Sequence, residues 1–293
     1  MESSMKTHGK LIGLILLFII GLSILLYPSI SNAWNQHRAD QLIEQYSRSA
    51  DTSDQDSMKA ELNKAEAYNK TLIGTSVPDA FSTHKGKTDT LYESLLNMEN
   101  DGMMGYVEIP VINVKLPIYH YTNDEVLEKG AGHLLGSSLP VGGESTHTVI
   151  SAHRGLPSAK MFTDLDKVSK GDVFYFHVLN ETLAYEVDQI KTVEPTDVDD
   201  LGIVEGQDLA TLVTCTPYAV NTQRLLVRGH RIDYEEAVKK AAAEKTVIAG
   251  DPPVWSYAAC AAAGLAIAAA VFYIVQRGRK RRDKVEEDKK DNI

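Results

Sequence analysis

The 293-residue chain is poor in cysteine, with only Cys215 and Cys260. Two thiols cannot build a disulfide framework, nor supply the four thiolates of a structural zinc or iron–sulfur site. Positive charge is in deficit too: 30 Lys and Arg face 40 Asp and Glu, for a formal net charge of −10. A nucleic-acid binder needs a basic surface to neutralise phosphates, so no nucleic-acid partner is expected. Metal-ligand spacings are also missing. His147 and His153 are six apart and would share one face of a strand, but the paired spacings of zinc sites do not occur. The acidic loop with Asp197, Asp199 and Asp200 lacks the EF-hand pattern, so no metal is expected there either. There is no internal repeat. Hydrophobic residues at 43% and charged residues at 24% exclude wholesale disorder, and the length allows one or two domains.

What the chain does have is two long apolar runs. Lys6, His8 and Lys10 precede an uncharged stretch from Leu11 to Tyr27, near the lower end of the ~17–25 residues that cross a bilayer as a helix. A cleaved signal peptide is the alternative, because Ser31-Asn32-Ala33 resembles a small-residue cleavage site. The second run, Val254 to Val275, follows Asp251-Pro252-Pro253 and ends in the basic cluster Arg277–Arg282, with Trp255, Tyr257 and Tyr273 near its ends. Basic flanks stay on the cytoplasmic side of a span, and aromatic rings favour the interface. The expectation is a cell-membrane protein with both termini cytoplasmic and the intervening part extracellular. Cys260 falls inside the second run and Cys215 outside the membrane, so the two cannot pair. Cys215 is then a lone exported thiol, for which burial in a core is the bland alternative.

The pattern predicts eight sections: a cytoplasmic N-terminus at 1–10, a transmembrane helix or signal anchor at 11–30, and a helical section at 31–75. A loop and connector follow at 76–103, a β-rich domain at 104–234, a juxtamembrane helix and linker at 235–253, a transmembrane helix at 254–275 and a basic tail at 276–293. Leu62, Ala65, Glu66, Asn69, Leu72 and Ile73 follow helical spacing, with an interruption near Asp51–Asp54. Strands are expected at Tyr106–Ile109, Val111–Leu116, Thr148–Ala152, Val173–Val178, Leu183–Val193, Leu209–Cys215 and Leu225–Ile232. Short strands without regular intervening helices favour an all-β sandwich or closed barrel.

Three polar residues fall at strand ends: His153, Cys215 and Arg224. Strand ends are rigid on one side and open on the other, which suits residues that must be both positioned and reachable. A thiolate is a nucleophile whose pKa a nearby cation lowers, an imidazole moves protons, and a guanidinium steadies negative charge at a carbonyl oxygen. Together they could run acyl transfer through a thioester. Arg228 shares the face of Arg224 and competes for its role. His120, His133, His177 and His230 are read as structural.

The local words carry more. Thr211-Leu-Val-Thr-Cys215-Thr-Pro-Tyr218, followed by Asn221-Thr-Gln-Arg224-Leu-Leu-Val, resembles the TLxTC motif and arginine strand of sortases. The stretches Gly132–Gly143 and Thr146–Gly155 resemble the family's histidine region, and Tyr106–Pro110 and Leu116–His120 its opening strands. Within the family the resemblance is to class C, the pilin-polymerising sortases of Gram-positive bacteria, which carry a second membrane segment and an N-terminal lid over the active site. The lid's Asp-Pro-aromatic anchor stands here as Asp79-Ala80-Phe81, with alanine in place of proline.

The resemblance implies a closed eight-stranded β-barrel. It also implies a cysteine transpeptidase acting on LPxTG-like sorting signals, with Cys215 as nucleophile, His153 as proton donor and Arg224 as oxyanion support. Asp79 would pair with Arg224, and Phe81 would pack over Cys215. No cofactor is implied. The partners implied are LPxTG-bearing pilin precursors and an acceptor pilin lysine, with a lipid-linked cell-wall precursor as another acceptor. A wall-anchoring sortase, a cysteine hydrolase and a non-enzymatic scaffold remain as alternatives.

Overall fold

The computed structural model describes residues 2–75, 77–81 and 89–243, with single positions 262, 264, 273 and 277. The chain divides into two compact units, 1–30 with 249–293 and 31–248. In the first, the described residues belong mainly to the start of helix α1 (Glu2–Thr52). From Ile15 onward α1 is apolar and long enough to cross a bilayer, the one such helix among the described residues. Leu17, Ile24 and Leu25 are 68%, 70% and 73% exposed, as lipid-facing side chains would be. Of the two expected spans, the second, at 254–275, lies outside the described residues apart from single positions, as does the basic tail.

The second unit is a closed barrel. Its strands are β1 (Met103–Ile109), β2 (Val114–His120), β3 (Ala131–His133), β4 (Thr146–Ser151), β5 (Val173–Val178), β6 (Glu181–Val193), β7 (Asp208–Thr216) and β8 (Gln223–Ile232). They close in the order β1-β2-β3-β4-β7-β8-β6-β5. The β2–β3 and β4–β7 pairs are parallel and the other six antiparallel. Closure leaves no open sheet edge, which is why so many β-branched and aromatic residues can be used without exposing a pairing template. Phe162, Phe174, Phe176, Tyr185, Ile109 and Ile118 fill the interior and are fully buried. At Gly105, beside a register shift in β1, a Cβ would stand 2.3 Å from the carbonyl oxygen of His177, so glycine is required.

One strand expectation is corrected. Val111 and Ile112 form a 3-10 turn rather than a strand, with Pro110 at its start and Asn113 at φ 50° behind it. The strand begins only at Val114 and runs through Pro117 to His120. The three-residue β3 and the helices α3 (Thr90–Ser94) and α4 (Asp124–Leu127) are additions.

Helices brace the barrel. Ile43 and Tyr46 of α1 pack on Met103, Tyr119 and Val126. The Tyr46 hydroxyl donates to the Met104 carbonyl (2.8 Å) and accepts from the Leu179 amide (2.7 Å). Asp54 caps α2 (Gln55–Thr71) by accepting from the Ser57 amide. Buried Asn69 of α2 donates to the Leu139 carbonyl (3.1 Å) and accepts from its amide (2.7 Å). Ile73, assigned by spacing to the same helix, lies past its end and is 56% exposed. After β8, α5 (Tyr234–Ala243) returns along the barrel, tied by Lys240 to Glu186.

Candidate active site

Strands β4, β7 and β8 are neighbours in the barrel, and their ends deliver the three expected residues. β4 and β7 run parallel, with Ser151 opposite Val213. Their pairing continues past the end of β4: the Ala152 amide donates to the Val213 carbonyl (3.2 Å), and the Thr214 hydroxyl donates to the Ala152 carbonyl (2.8 Å). His153 and Cys215 are each two residues further along, so they leave the two strands at the same level. Across the β7–β8 hairpin Cys215 pairs directly with Arg224. With strands spaced by about 4.8 Å, imidazole, thiol and guanidinium are set side by side on three adjacent strands.

Arg224 Nη1 donates to the Cys215 sulfur at 3.6 Å. The rest of the guanidinium is engaged by the 77–81 segment: Nε donates to Asp79 Oδ1 at 2.9 Å and Nη2 to Oδ2 at 3.0 Å, a bidentate fork. Phe81 lies with its ring centroid 5.0 Å from the guanidinium carbon and 6.2 Å from the His153 ring, so the phenyl caps the arginine beside the histidine. Val77 and Ala80 anchor the segment in an apolar cluster with Leu134, Val149, Val193, Leu201, Val213 and Leu226. Ala80 is 1% exposed.

This environment sets the charge states. Burial pushes the Cys215 thiol above its ordinary pKa; Arg224 pulls it down, and Asp79 pushes it up again. Burial lowers the His153 imidazole, opposed by the carboxylates of Asp124 and Glu128. With Asp79 seated, thiol and imidazole are both held neutral near pH 7. Withdrawing Asp79 would remove a negative charge from beside the sulfur and free the Nε and Nη2 donors of Arg224.

The other candidates lie elsewhere. Arg228 pairs with Thr211 on β7, four residues or about 13 Å along the strand from Arg224. Its Nε and Nη2 are bound by Asp188 at 3.0 and 3.1 Å. His147 is buried between the Gly202 carbonyl and the Thr211 hydroxyl, both at 2.7 Å. His133 bonds the Tyr92 hydroxyl and the Ser138 carbonyl, and burial lowers both His133 and His147 to about 4. His120 bonds the carbonyls of Gly102 and Leu95, and His177 the Thr182 hydroxyl and Glu108. His230 is half exposed near Glu186 and Asp188. Asp200 is held by Lys191 and Gln189, and no group of three metal-ligating side chains occurs among the described residues.

Sequence reasoning missed Arg154, whose Nη1 donates to the Thr216 hydroxyl at 3.1 Å and whose Nη2 pairs with Asp166. It ties the residue after Cys215 to the loop after β4. The carboxylates facing His153 carry no motif either, because they reach the site only through the fold.

A thiol set between an imidazole and a guanidinium at the end of a rigid sheet is an arrangement suited to acyl transfer through a thioester. Comparison with known proteins agrees. A family profile for the sortase domain matches residues 107–232. Solved neighbours include a Streptococcus pneumoniae sortase C, 48% identical with a TM-score of 0.62, covering 66% of this chain and 97% of that one. Sortase C1 of Streptococcus agalactiae is also 48% identical, with a TM-score of 0.61 over 66% of this chain and 98% of that one. The curated sortase A of Streptococcus agalactiae is 26% identical over 260 residues, 84% of this chain and 98% of its own length. The chain belongs to the sortase family of cysteine transpeptidases. Its solved neighbours at 42–50% identity include sortase C proteins of streptococci, the pilin type, and one of Actinomyces oris.

Proposed function

We propose that this sortase is a membrane-anchored pilin polymerase with Cys215, His153 and Arg224 as its catalytic residues. The cross-strand pairing of Cys215 with Arg224, with a guanidinium nitrogen 3.6 Å from the sulfur, carries the reading. The pneumococcal neighbour, whose structure was described in terms of pilin substrate specificity, supports the choice of substrate.

In this scheme the Cys215 thiol passes its proton to His153, and the resulting thiolate attacks the threonine carbonyl of an LPxTG-like sorting signal. The Arg224 guanidinium takes up the charge developing on the carbonyl oxygen. His153 gives a proton to the departing glycine amine, leaving a thioacyl-enzyme. A lysine side-chain amine of the next pilin subunit then attacks the thioester, its proton passes to His153, and the thiolate is released. An amide bond is broken and another is formed, so the exchange needs no external energy source and no cofactor.

The Asp79–Phe81 segment acts as a lid, because substrate must displace Asp79 to reach the guanidinium. The apolar stretch of α1 anchors the N-terminus, and the 254–275 run would add a second anchor, leaving both termini cytoplasmic and the barrel outside. That arrangement holds the enzyme beside membrane-tethered precursors.

Incubating the full chain with a pilin that carries both a sorting signal and an acceptor lysine tests the reading. Ladders of covalent multimers that vanish with Cys215→Ala are expected. Cleavage without ladders would assign water or a lipid-linked wall precursor as acceptor and overturn the polymerase proposal.

A further inference from the structure

Among the described residues two buried side-chain polar atoms have no hydrogen-bond partner, Ser151 Oγ and Arg154 Nε, and they stand on either side of His153 in the sequence. Arg154 is anchored all the same, because its terminal nitrogens are held by Thr216 and Asp166. Ser151 is fully buried, and its one side-chain polar group meets no partner among those residues. Buried hydroxyls close by are used: Thr214 donates to the Ala152 carbonyl (2.8 Å), Thr148 to the Leu139 carbonyl (3.3 Å), and Thr211 is joined to His147 (2.7 Å). A hydroxyl that gives up water for no partner destabilises the fold, and alanine would fill the same place without that loss.

The strand pairings account for the unmet group. On one face of the sheet Ser151 lies between Val149 and His153 along β4, beside Gly132 on β3 and Val213 on β7. Gly132 has no side chain, and the two valines carry no polar side-chain atom. The same face holds Leu226, opposite Val213 on β8. Val149, Val213 and Leu226 pack in one apolar cluster with Val77 and Ala80 of the 77–81 segment. Two residues nearer the site on these strands, and on the same face, come His153, Cys215 and Arg224. The row Ser151–Val213–Leu226 is thus the floor next to the row that carries the chemistry, and the segment sits on it.

We propose that Ser151 is a specificity-determining residue whose hydroxyl donates to the proline carbonyl of an LPxTG-like sorting signal once the segment has left, which rests on the reading of this groove as the sorting-signal site. Two strand residues span about 7 Å. An extended peptide whose threonine carbonyl lies at Cys215 therefore brings its proline carbonyl, two residues back, level with Ser151. The floor around Ser151 is apolar and offers no second polar group to hold a polar side chain. The main chain of an extended peptide, by contrast, carries an acceptor at that level and loses its water there, so it needs a donor. The unmet hydroxyl also weighs against the seated segment, and so favours the exchange of segment for peptide.

The test compares the full chain with its Ser151→Ala variant on two LPxTG-like peptides. One is natural; the other has an ester in place of the amide between proline and the variable residue, which weakens that carbonyl as an acceptor. Ser151→Ala should lower kcat/KM for cleavage of the natural peptide about fivefold, the worth of one neutral hydrogen bond. The ester should lower the parent's kcat/KM by a similar factor and the variant's by clearly less, because the bond is already gone. Without peptide, Ser151→Ala should raise the unfolding midpoint and slow labelling of Cys215 about threefold, since the covered state no longer holds an unmet hydroxyl. A hydroxyl serving the fold alone would move stability and activity down together. Equal ester losses in parent and variant would overturn the proposal, and so would unchanged cleavage by Ser151→Ala or a lowered midpoint. A parent chain that cleaves neither peptide would refute the sorting-signal reading of the groove itself, an outcome distinct from all of these.

Discussion

The pairing of Asp79 with Arg224 makes a quantitative demand on the reactivity of Cys215. Two charge-assisted hydrogen bonds join the pair at 2.9 and 3.0 Å, with side-chain exposures of only 13% for Arg224 and 21% for Asp79. Hydrogen bonds to charged groups contribute about 1.5–3 kcal/mol, and partial exposure of both partners places this pair at the low end, roughly 2 kcal/mol. Asp79→Ala removes that term from the seated segment and nothing from the open one. At 1.36 kcal/mol per decade, the open population should rise about 30-fold. The carboxylate that pushes the thiol pKa up is lost as well, so both effects act in one direction. Second-order labelling of Cys215 with a thiol reagent under native conditions should therefore accelerate about 10- to 30-fold. Asp79→Asn, which keeps an acceptor but not the charge, should fall between. Phe81→Ala forfeits the ring's packing on the guanidinium, of order 0.5–1 kcal/mol, and should accelerate labelling a few-fold. Labelling of Asp79→Ala at the unmodified rate would refute the reasoning.

Two further outcomes follow from the same geometry. Arg224→Lys should lower transpeptidation by about 10²–10³, the usual loss for one oxyanion donor, whereas Arg228→Gln should alter rate less than threefold while lowering the unfolding midpoint, because its partner is Asp188. Kinetics and thermal unfolding of the two variants separate the roles. Acid should also destabilise the barrel in a defined window. His133 and His147 titrate near 4 in the fold and near 6.5 when unfolded. The unfolded chain thus binds more protons between those values, and stability falls as pH drops from 6.5 to 4, by about 3 kcal/mol for each histidine. Denaturant unfolding across that range should show a steeper loss for the parent chain than for His147→Gln.

The strands that carry the site were legible because β-branched runs bounded by turn residues leave few alternatives; Val173–Val178 is a strand over its whole expected span. The hairpin pairing of Cys215 with Arg224 was close to legible as well, since the short stretch between them, Pro217 to Thr222, can only form a loop between antiparallel neighbours. His153 was not placeable in this way. It reaches Cys215 through a parallel pairing between strands more than fifty residues apart, which no local pattern encodes. Periodicity could not choose between Arg224 and Arg228 either, as both lie on one face; the choice needs Asp188, which arrives on β6. The prolines misled in the opposite sense. Pro110 opened a turn where a strand was expected, while Pro117 sits inside β2, opposite Tyr106 of β1 and one residue before the pairing with β3 begins. The second apolar run lies, apart from single positions, outside the described residues.

The proposed mechanism requires Cys215 to carry the acyl group. Quenching the full chain in acid during turnover with a sorting-signal peptide, then mapping it by mass spectrometry, tests this directly. The peptide fragment up to and including threonine should be found on Cys215 as a thioester that hydroxylamine releases. No adduct on that residue, together with a Cys215→Ala chain that still transfers the peptide, would contradict it.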